Sequence, residues 1–248
     1  MTDVLGWRKV FAVLGPSTNT VVQPEMEAMR PAGVTNQYRD IHVDNPSALS
    51  DADFMAGAAL IGQGMADALR SAVTCAPDHL VLGVSAISFI GGRSGCDRLL
   101  QQVHELTGLS ISVGSQAVVA ALQACGAARR IAFLSPYYPA ANAHVKDFFE
   151  AHGIEVRRDA CLRCTSWTDI AKQPEARLAR VLQELDGDDV DAIVQVGTNL
   201  PMAQLATKAE AWLGKPVIAI NTATYWHALR TNGITDPIDG FGRLLKDF

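Results

Sequence analysis

The feature that most constrains this chain is a set of strand-and-turn segments that recurs, in the same order, in its two halves. Phe11-Ala-Val-Leu-Gly-Pro-Ser17 is matched 120 residues later by Ile131-Ala-Phe-Leu-Ser-Pro-Tyr137. Asp78 to Ala86, DHLVLGVSA, is matched at an offset of 113 by Asp191 to Asn199, DAIVQVGTN. Ile111 to Ala117 is matched at 107 by Ile218 to Thr224, and both run on to Ala-Leu, at Ala121-Leu122 and Ala228-Leu229. One match means little, because apolar strands resemble one another. Three in order, with a drifting offset, predict a duplicated unit with small deletions in the second copy.

Each unit alternates short apolar runs with helix-length segments. The runs are Val10–Leu14, Gln37–Val43, Leu80–Val84, Leu109–Val113, Ile131–Leu134, Ile154–Arg157, Ala192–Val196 and Val217–Ile220. They are rich in β-branched residues and nearly unbroken, as strands covered on both faces must be. Between them, Asp53–Val73, Arg98–Thr107, Gln116–Ala124, Ala140–His152, Glu175–Leu185 and Met202–Trp212 read as helices. Such alternation predicts parallel sheets built by right-handed crossovers. The expected fold is therefore α/β: two similar Rossmann-like lobes with parallel sheets related by a pseudo-twofold and an active-site cleft between them. The lobes are expected at residues 1–127 and 128–248, with the C-terminal segment packing back on the first.

Composition excludes several classes. A net charge of −5 without a long charge run gives no basic face for nucleic acid. No apolar stretch approaches the roughly 20 residues of a membrane helix. MTDVLGWRKVFAVLG, charged and soon followed by Pro16, does not read as a signal peptide. Five cysteines, an odd number, make no disulfide framework, and a cytoplasmic setting is the simplest expectation. Cys161 and Cys164 form a CxxC pair without a second pair to complete a zinc site, and Thr165-Ser166-Trp167 is a poor helix start for a redox motif.

In parallel sheets, ligands sit beyond the carboxyl ends of the strands. The turns expected there are Gly15–Asn19, Val84–Ser88, Gly114–Gln116, Ser135–Tyr138, Gly197–Asn199 and Asn221–Thr224. They are rich in hydroxyls and amides, which serve equally as helix caps and as partners for a carboxylate. The candidates for substrate contact are Ser17, Thr18, Asn19, Val84, Ala86, Gly197 and Asn199, with Tyr137, Ser85 and Thr198 closest to the chemistry. There is no G-x-G-x-x-G, no phosphate loop and no G-x-S-x-G elbow. Gly91 to Gly95 reads as a flexible turn, His227 as a packing residue on a helix, and His42 beside Asp44 as a modest acid/base candidate. His79 is expected at the end away from the site, and Glu25 and Glu27 solvated on a helix.

These motifs resemble the aspartate/glutamate racemase superfamily, and within it the maleate cis-trans isomerase and arylmalonate decarboxylase branch. Gly15-Pro-Ser-Thr-Asn-Thr…Glu25 is similar to the branch's opening P-S-S-N-T…E-P-E, and Gly83-Val-Ser-Ala-Ile-Ser-Phe-Ile-Gly-Gly92 to G-C-T-S-x-S-F-x-G-G. Ser135-Pro-Tyr137 with Asn142 and Gly153-Ile-Glu-Val156 resembles T-P-Y…N…G-I-E-V. Gly197-Thr-Asn-Leu200 resembles C-T-N-x, and Asn221 to Leu229 the terminal N-x-A-x-x-W-H-A-L. The resemblance implies one site between two lobes, with carboxylate recognition by Asn19, Tyr137 and two cysteine-bearing turns. Family isomerases and racemases use two cysteines, one per lobe; arylmalonate decarboxylase keeps the second.

Here Val84 stands at the first cysteine position and Gly197 at the second. Neither supplies a nucleophile or an acid, and a thiolate is what the family's covalent isomerisation requires. Ala86 has also lost a hydroxyl that the branch usually carries. Three readings follow. The first is an enzyme of a small activated or unsaturated carboxylate acting without a thiol, as a decarboxylase or lyase, or by hydrolysis or hydration. The second is maleate isomerase or racemase-like activity with a displaced residue, for which Cys96 is the candidate thiol. The third is a non-catalytic carboxylate binder. No cofactor is called for: no residue demands a metal, flavin, nicotinamide or pyridoxal. The expected partner is a small-molecule carboxylate, with no nucleic acid and no membrane, and homo-oligomerisation is left open.

Overall fold

The computed structural model describes residues 3–126 and 128–248. Ala127, at the expected lobe boundary, lies outside the described residues. All eight apolar runs become strands: β1 Lys9–Pro16, β2 Val34–Ile41, β3 His79–Leu82, β4 Ile111–Ser112, β5 Arg130–Ser135, β6 Glu155–Cys161, β7 Ala192–Gln195 and β8 Val217–Ala219. The helices are α1 Val22–Ala28, α2 Asp51–Ala72, α3 Ala86–Phe89, α4 Gly92–Thr107, α5 Gly114–Ala124, α6 Pro139–Glu150, α7 Glu175–Leu185, α8 Ala203–Leu213, α9 Ile220–Thr231 and α10 Gly242–Asp247.

The strands form two four-stranded parallel sheets, ordered β2-β1-β3-β4 and β6-β5-β7-β8. The second order is the first with four added to each number, so the repeat in the sequence is a repeat in topology. The central strands β1, β3, β5 and β7 are buried on both faces, which is why they read as continuous apolar runs. Their carboxyl ends carry the turns at Pro16, Gly83, Ser135 and Val196.

Some boundaries differ from expectation. β2 lies earlier than the apolar run because its ladder with β1 pairs Lys9 to Val34 and closes at Pro16 and Ile41. The edge strand β4 is only two residues long, paired to β3 at Leu80–Ile111 and Val81–Ser112, because α5 starts at Gly114. Gly91 to Gly95 is a helix start rather than a flexible turn. Gly91 takes φ +79 and its carbonyl accepts the Gly95 N–H at 3.0 Å, so the glycines open α4.

Two helices cross between the halves. α9, which follows the second sheet, packs on α5, α1, β3 and β4, and α2 reaches α6. Phe54 of α2 carries its ring to Tyr137 and to Trp167, each 4.9 Å between centroids. Arg8 and Asp236 add a bidentate ion pair at 2.8 and 2.6 Å, exposed enough to contribute little.

Under α9, at the amino ends of β3 and β4, His79 Nε2 and His227 Nδ1 both bond the Ser112 hydroxyl at 2.8 Å. The serine has one proton to give, so at least one of the two imidazoles donates to it. Burial pushes His79 down to about 4, with help from His227 and Lys9, and burial lowers His227 too. The folded protein thus resists protons that the unfolded chain takes up below pH 6.5. Stability is expected to fall as pH drops from about 6.5 to about 4, by on the order of 3 kcal/mol from His79. Urea unfolding across that range checks this: His79→Gln, which keeps a hydrogen-bonding amide, should remove that part of the slope. An unchanged slope would refute the assignment.

Candidate active site

The carboxyl ends of the two sheets face one another across a cleft lined by Pro16, Thr18, Asn19, Val84, Ser85 and Ala86 from the first half. Tyr137, Trp167, Ile170, Gly197, Thr198 and Asn199 line it from the second. It holds about 330 Å3 of empty space, open mouth included, with an interior of about 30 Å3 that suits one or two waters. That size favours a small acid over a nucleotide-sized ligand.

The two halves meet through hydrogen bonds between their turns. Ser85 Oγ lies 2.6 Å from Tyr137 Oη and accepts the Gly197 N–H at 3.1 Å. Asn19 Nδ2 donates to Thr198 Oγ1 at 3.2 Å, and Thr198 Oγ1 donates to the Gly83 carbonyl at 2.9 Å. Ser85 is 1% exposed and Tyr137 2%. Burial pushes the Tyr137 phenol well above its usual range, against the pull of Ser85, so it stays protonated and acts as a donor.

Counting protons shows what is left for a ligand. Ser85 and Tyr137 carry two hydroxyl protons, and their mutual bond uses one, so one points elsewhere. Asn19 keeps its second amide proton, and its Oδ1 caps α1 by accepting from Val21 and Val22 N–H at 2.9 and 3.0 Å. Among the described residues, the backbone N–H groups of Val84, Ser85, Thr198 and Asn199 and the Thr18 hydroxyl have no protein partner. No Lys, Arg, His, Asp or Glu lines the cleft. The donors of the cleft are therefore all neutral, with no buried counter-charge beside them to desolvate.

Of the sequence-derived candidates, Thr18, Asn19, Val84, Ser85, Ala86, Tyr137, Gly197, Thr198 and Asn199 come together in this cleft, and Ser17 does not. Ser17 is drawn away by Val43, donating to its carbonyl at 3.3 Å and accepting its N–H at 2.9 Å. The Thr198 hydroxyl proton is committed to Gly83, so Thr198 offers its main-chain N–H instead. Asn199 is a staple between the halves, accepting from Thr20 N and donating to the Thr18 and Trp167 carbonyls. His42 is exposed beside Asp44, outside the cleft. Glu25, expected in solvent, is drawn between α8 and α9, where burial raises its pKa against three stabilising donors.

Sequence reasoning missed Trp167 and Ile170, and placed Pro16 only as part of the Gly15–Asn19 turn. The loop after β6 that carries Trp167 is zipped to the first half by an isolated bridge at Ser47 and Ser166 and by Asn45 with Thr168. A lone tryptophan in a polar loop was the sole signal. None of the five cysteines lines the cleft. Cys96 is buried against Ser115 at 3.3 Å, Cys161 is pushed up to about 11 by burial and Asp159, and Cys164 to about 12 by burial and Asp169.

Gly197 adopts φ +103, and a Cβ there would fall 2.6 Å from Pro136 Cγ and closer still to its Cδ. The turn is held from below by Gln195, whose Nε2 donates to the carbonyls of Val196 at 2.8 Å and Gly197 at 2.7 Å. That is why a polar residue sits in an otherwise apolar strand.

Twin four-stranded parallel sheets with a neutral, donor-rich pocket between their carboxyl ends define a class of two-lobed α/β proteins. The sequence profile of the arylmalonate decarboxylase family matches residues 28–245. The chain is 27% identical to maleate isomerase of Nocardia farcinica, over 98% of this chain and 97% of the relative. It is 25% identical to maleate isomerase of Alcaligenes faecalis, over 93% and 94%. Nocardia farcinica maleate cis-trans isomerase, solved as a mutant with a covalently bound succinylcysteine intermediate, superposes with a TM-score of 0.87 at 24% identity, covering 97% of this chain and 99% of that one. Unliganded arylmalonate decarboxylase superposes at 0.78 and 21% identity, covering 95% and 97%. The chain belongs to the arylmalonate decarboxylase family, in the maleate isomerase and arylmalonate decarboxylase branch of the aspartate/glutamate racemase superfamily.

Proposed function

We propose that this protein, divided near residue 127 into two lobes, is an enzyme of small activated or unsaturated carboxylates that works without an active-site thiol. Decarboxylation or water-dependent hydrolysis or hydration is the chemistry its cleft supports best. The observation that carries this reading is the cleft lining itself: neutral donors, apolar walls, and Tyr137 as its sole titratable side chain.

In a decarboxylation, one carboxylate takes the free hydroxyl proton of the Ser85–Tyr137 pair and the unpartnered N–H groups of the two turns. The leaving carboxylate faces Val84, Ala86, Trp167 and Ile170, where losing its charge as CO2 is favoured over keeping it in an apolar setting. The C–C electron pair stays on the substrate carbon and spreads onto the carboxylate held by the donors, which strengthen as that charge grows. Water then delivers the proton and leaves hydroxide. The high pKa of Tyr137 makes it a poor acid and a good fixed donor.

Maleate isomerisation is the second reading, favoured by relatives that align over nearly the whole chain and carry the name maleate isomerase. It needs a nucleophile other than the two residues at the family's cysteine positions. One experiment separates the readings: incubation with a panel of malonates, maleate, maleamate and unsaturated lactones, followed by NMR in deuterated water, with and without prior thiol alkylation. The expected result is CO2 loss or hydrolysis that alkylation leaves unchanged. Maleate-to-fumarate conversion abolished by alkylation would establish the second reading, and binding without turnover would make the protein a carboxylate binder.

A further inference from the structure

The half-buried Glu25 has no part in the chemistry above, yet its carboxylate bridges the halves beside the cleft. Oε1 accepts the N–H of Ala203, the first residue of α8, at 3.0 Å. Oε2 accepts from Asn221 Nδ2 at 2.6 Å. The same amide nitrogen donates to the Thr198 carbonyl at 2.9 Å. Asn221 is 1% exposed, at the start of α9, and its Oδ1 has no partner among the described residues, so its orientation is set by the two acceptors that its nitrogen serves. α1 therefore grips the Thr198 turn twice. Asn19, capping its amino end, holds the Thr198 side chain, and Glu25, one turn further on, holds the Thr198 main chain through Asn221.

We propose that Glu25 is a positioning residue whose carboxylate, acting through the Asn221 amide, fixes the Thr198 turn of the second half against the cleft. The proposal rests on reading that turn as an anion contact. A charge-assisted bond to the carboxylate is stronger than one between neutral groups and orients the amide. The oriented amide leaves its second proton for the Thr198 carbonyl, and the turn that carries the Thr198 and Asn199 N–H groups is thereby tied in place in the cleft it shares with Ser85 and Tyr137. A turn with no such tether opens locally long before the sheets do.

Two variants test this. Glu25→Gln keeps the volume and the acceptor for Ala203 but sets an amide against the Asn221 amide. Asn221→Leu removes the relay at similar volume. Amide hydrogen exchange at Gly197 and Leu200, read by NMR, is expected to quicken about tenfold in either variant, as losing one charge-assisted bond predicts. Met29 after α1 and Ala206 inside α8 should change less than about twofold, because their own opening does not depend on the turn. The double variant should match the singles, since both act on one chain of bonds. Equal quickening at Met29 and Ala206 would reduce Glu25 to a general stabiliser, and no change at Gly197 and Leu200 would overturn the proposal outright. Should Asn221→Leu fail to fold, Glu25→Gln decides alone. Calorimetric titration with malonate runs in parallel: its dissociation constant should rise with the exchange rate. Failure of the unmodified protein to bind malonate would count against the anion reading of the cleft, while the exchange ratios still decide the role of Glu25.

Discussion

A Ser85→Ala/Tyr137→Phe double variant is expected to lower kcat/KM by about 1,000-fold, against about 10- to 100-fold for either substitution alone. The reason is the proton count in the buried pair. Ser85 and Tyr137 share one bond of 2.6 Å, and only one of their two protons is free for substrate. Tyr137→Phe keeps the ring packed against Phe54 and frees the serine proton to take over. Ser85→Ala frees the tyrosine proton but orphans the Gly197 N–H. Each single variant therefore retains one donor, while the double variant has none. The measurement is kcat/KM for whichever panel substrate turns over, with far-ultraviolet circular dichroism to show that each variant folds. Full activity in Tyr137→Phe together with the double variant would remove this pair from the mechanism.

Gly197→Cys, which would put a thiol where the family resemblance implies the second cysteine, is expected to destabilise the fold by about 3–5 kcal/mol and to confer no thiol chemistry. A φ of +103 is one that L side chains rarely adopt, and the new Cβ would collide with the Pro136 ring. Pro136 cannot retreat easily, because it lies between Ser135 of β5 and the buried Tyr137. The main chain at 197 is also pinned by Ser85 and Gln195. For a chain of this length the loss corresponds to a fall in Tm of about 10 °C. Val84→Cys makes the contrast. Val84 is buried with an ordinary side chain, and a swap for a residue of similar size should cost less than about 1.5 kcal/mol. Differential scanning calorimetry of the two variants checks both statements, and an unchanged Tm in Gly197→Cys would show that the turn is not locked. The two cysteine positions are thus unlike. One is a side-chain exchange that leaves the backbone ready for a thiol, and the other is a backbone that excludes any side chain.

Much of this architecture was legible before the structure. The eight apolar runs, the repeated segments and the polar turns at strand ends pointed to paired sheets with a cleft, and Asn19, Ser85 and Tyr137 were identifiable from the turns that carry them. The carboxylate of Glu25 was not. It follows Val21-Val22-Gln23-Pro24 in a stretch that reads as an ordinary polar helix, and only the approach of α8 and α9 from the other half encloses it. The hydrogen-bond partners of the Ser17 and Thr198 hydroxyls were hidden in a related way. A hydroxyl in a turn looks available in a sequence, and whether its proton is spent depends on a carbonyl, Val43 or Gly83, that is remote in the chain.

The sequence by itself determined the two sheets, their parallel sense and the placing of polar turns at their ends, because strand periodicity and crossover length are local properties of consecutive residues. It also placed Val84 and Gly197 where the family resemblance implies cysteines. Only the tertiary structure decided which donors remain free, that Trp167 and Ile170 wall the cleft, and that Gly197 takes a positive φ against the Pro136 ring. Each of those depends on what a second, distant segment places beside it, and such contacts are set by how the segments pack rather than by what either one spells.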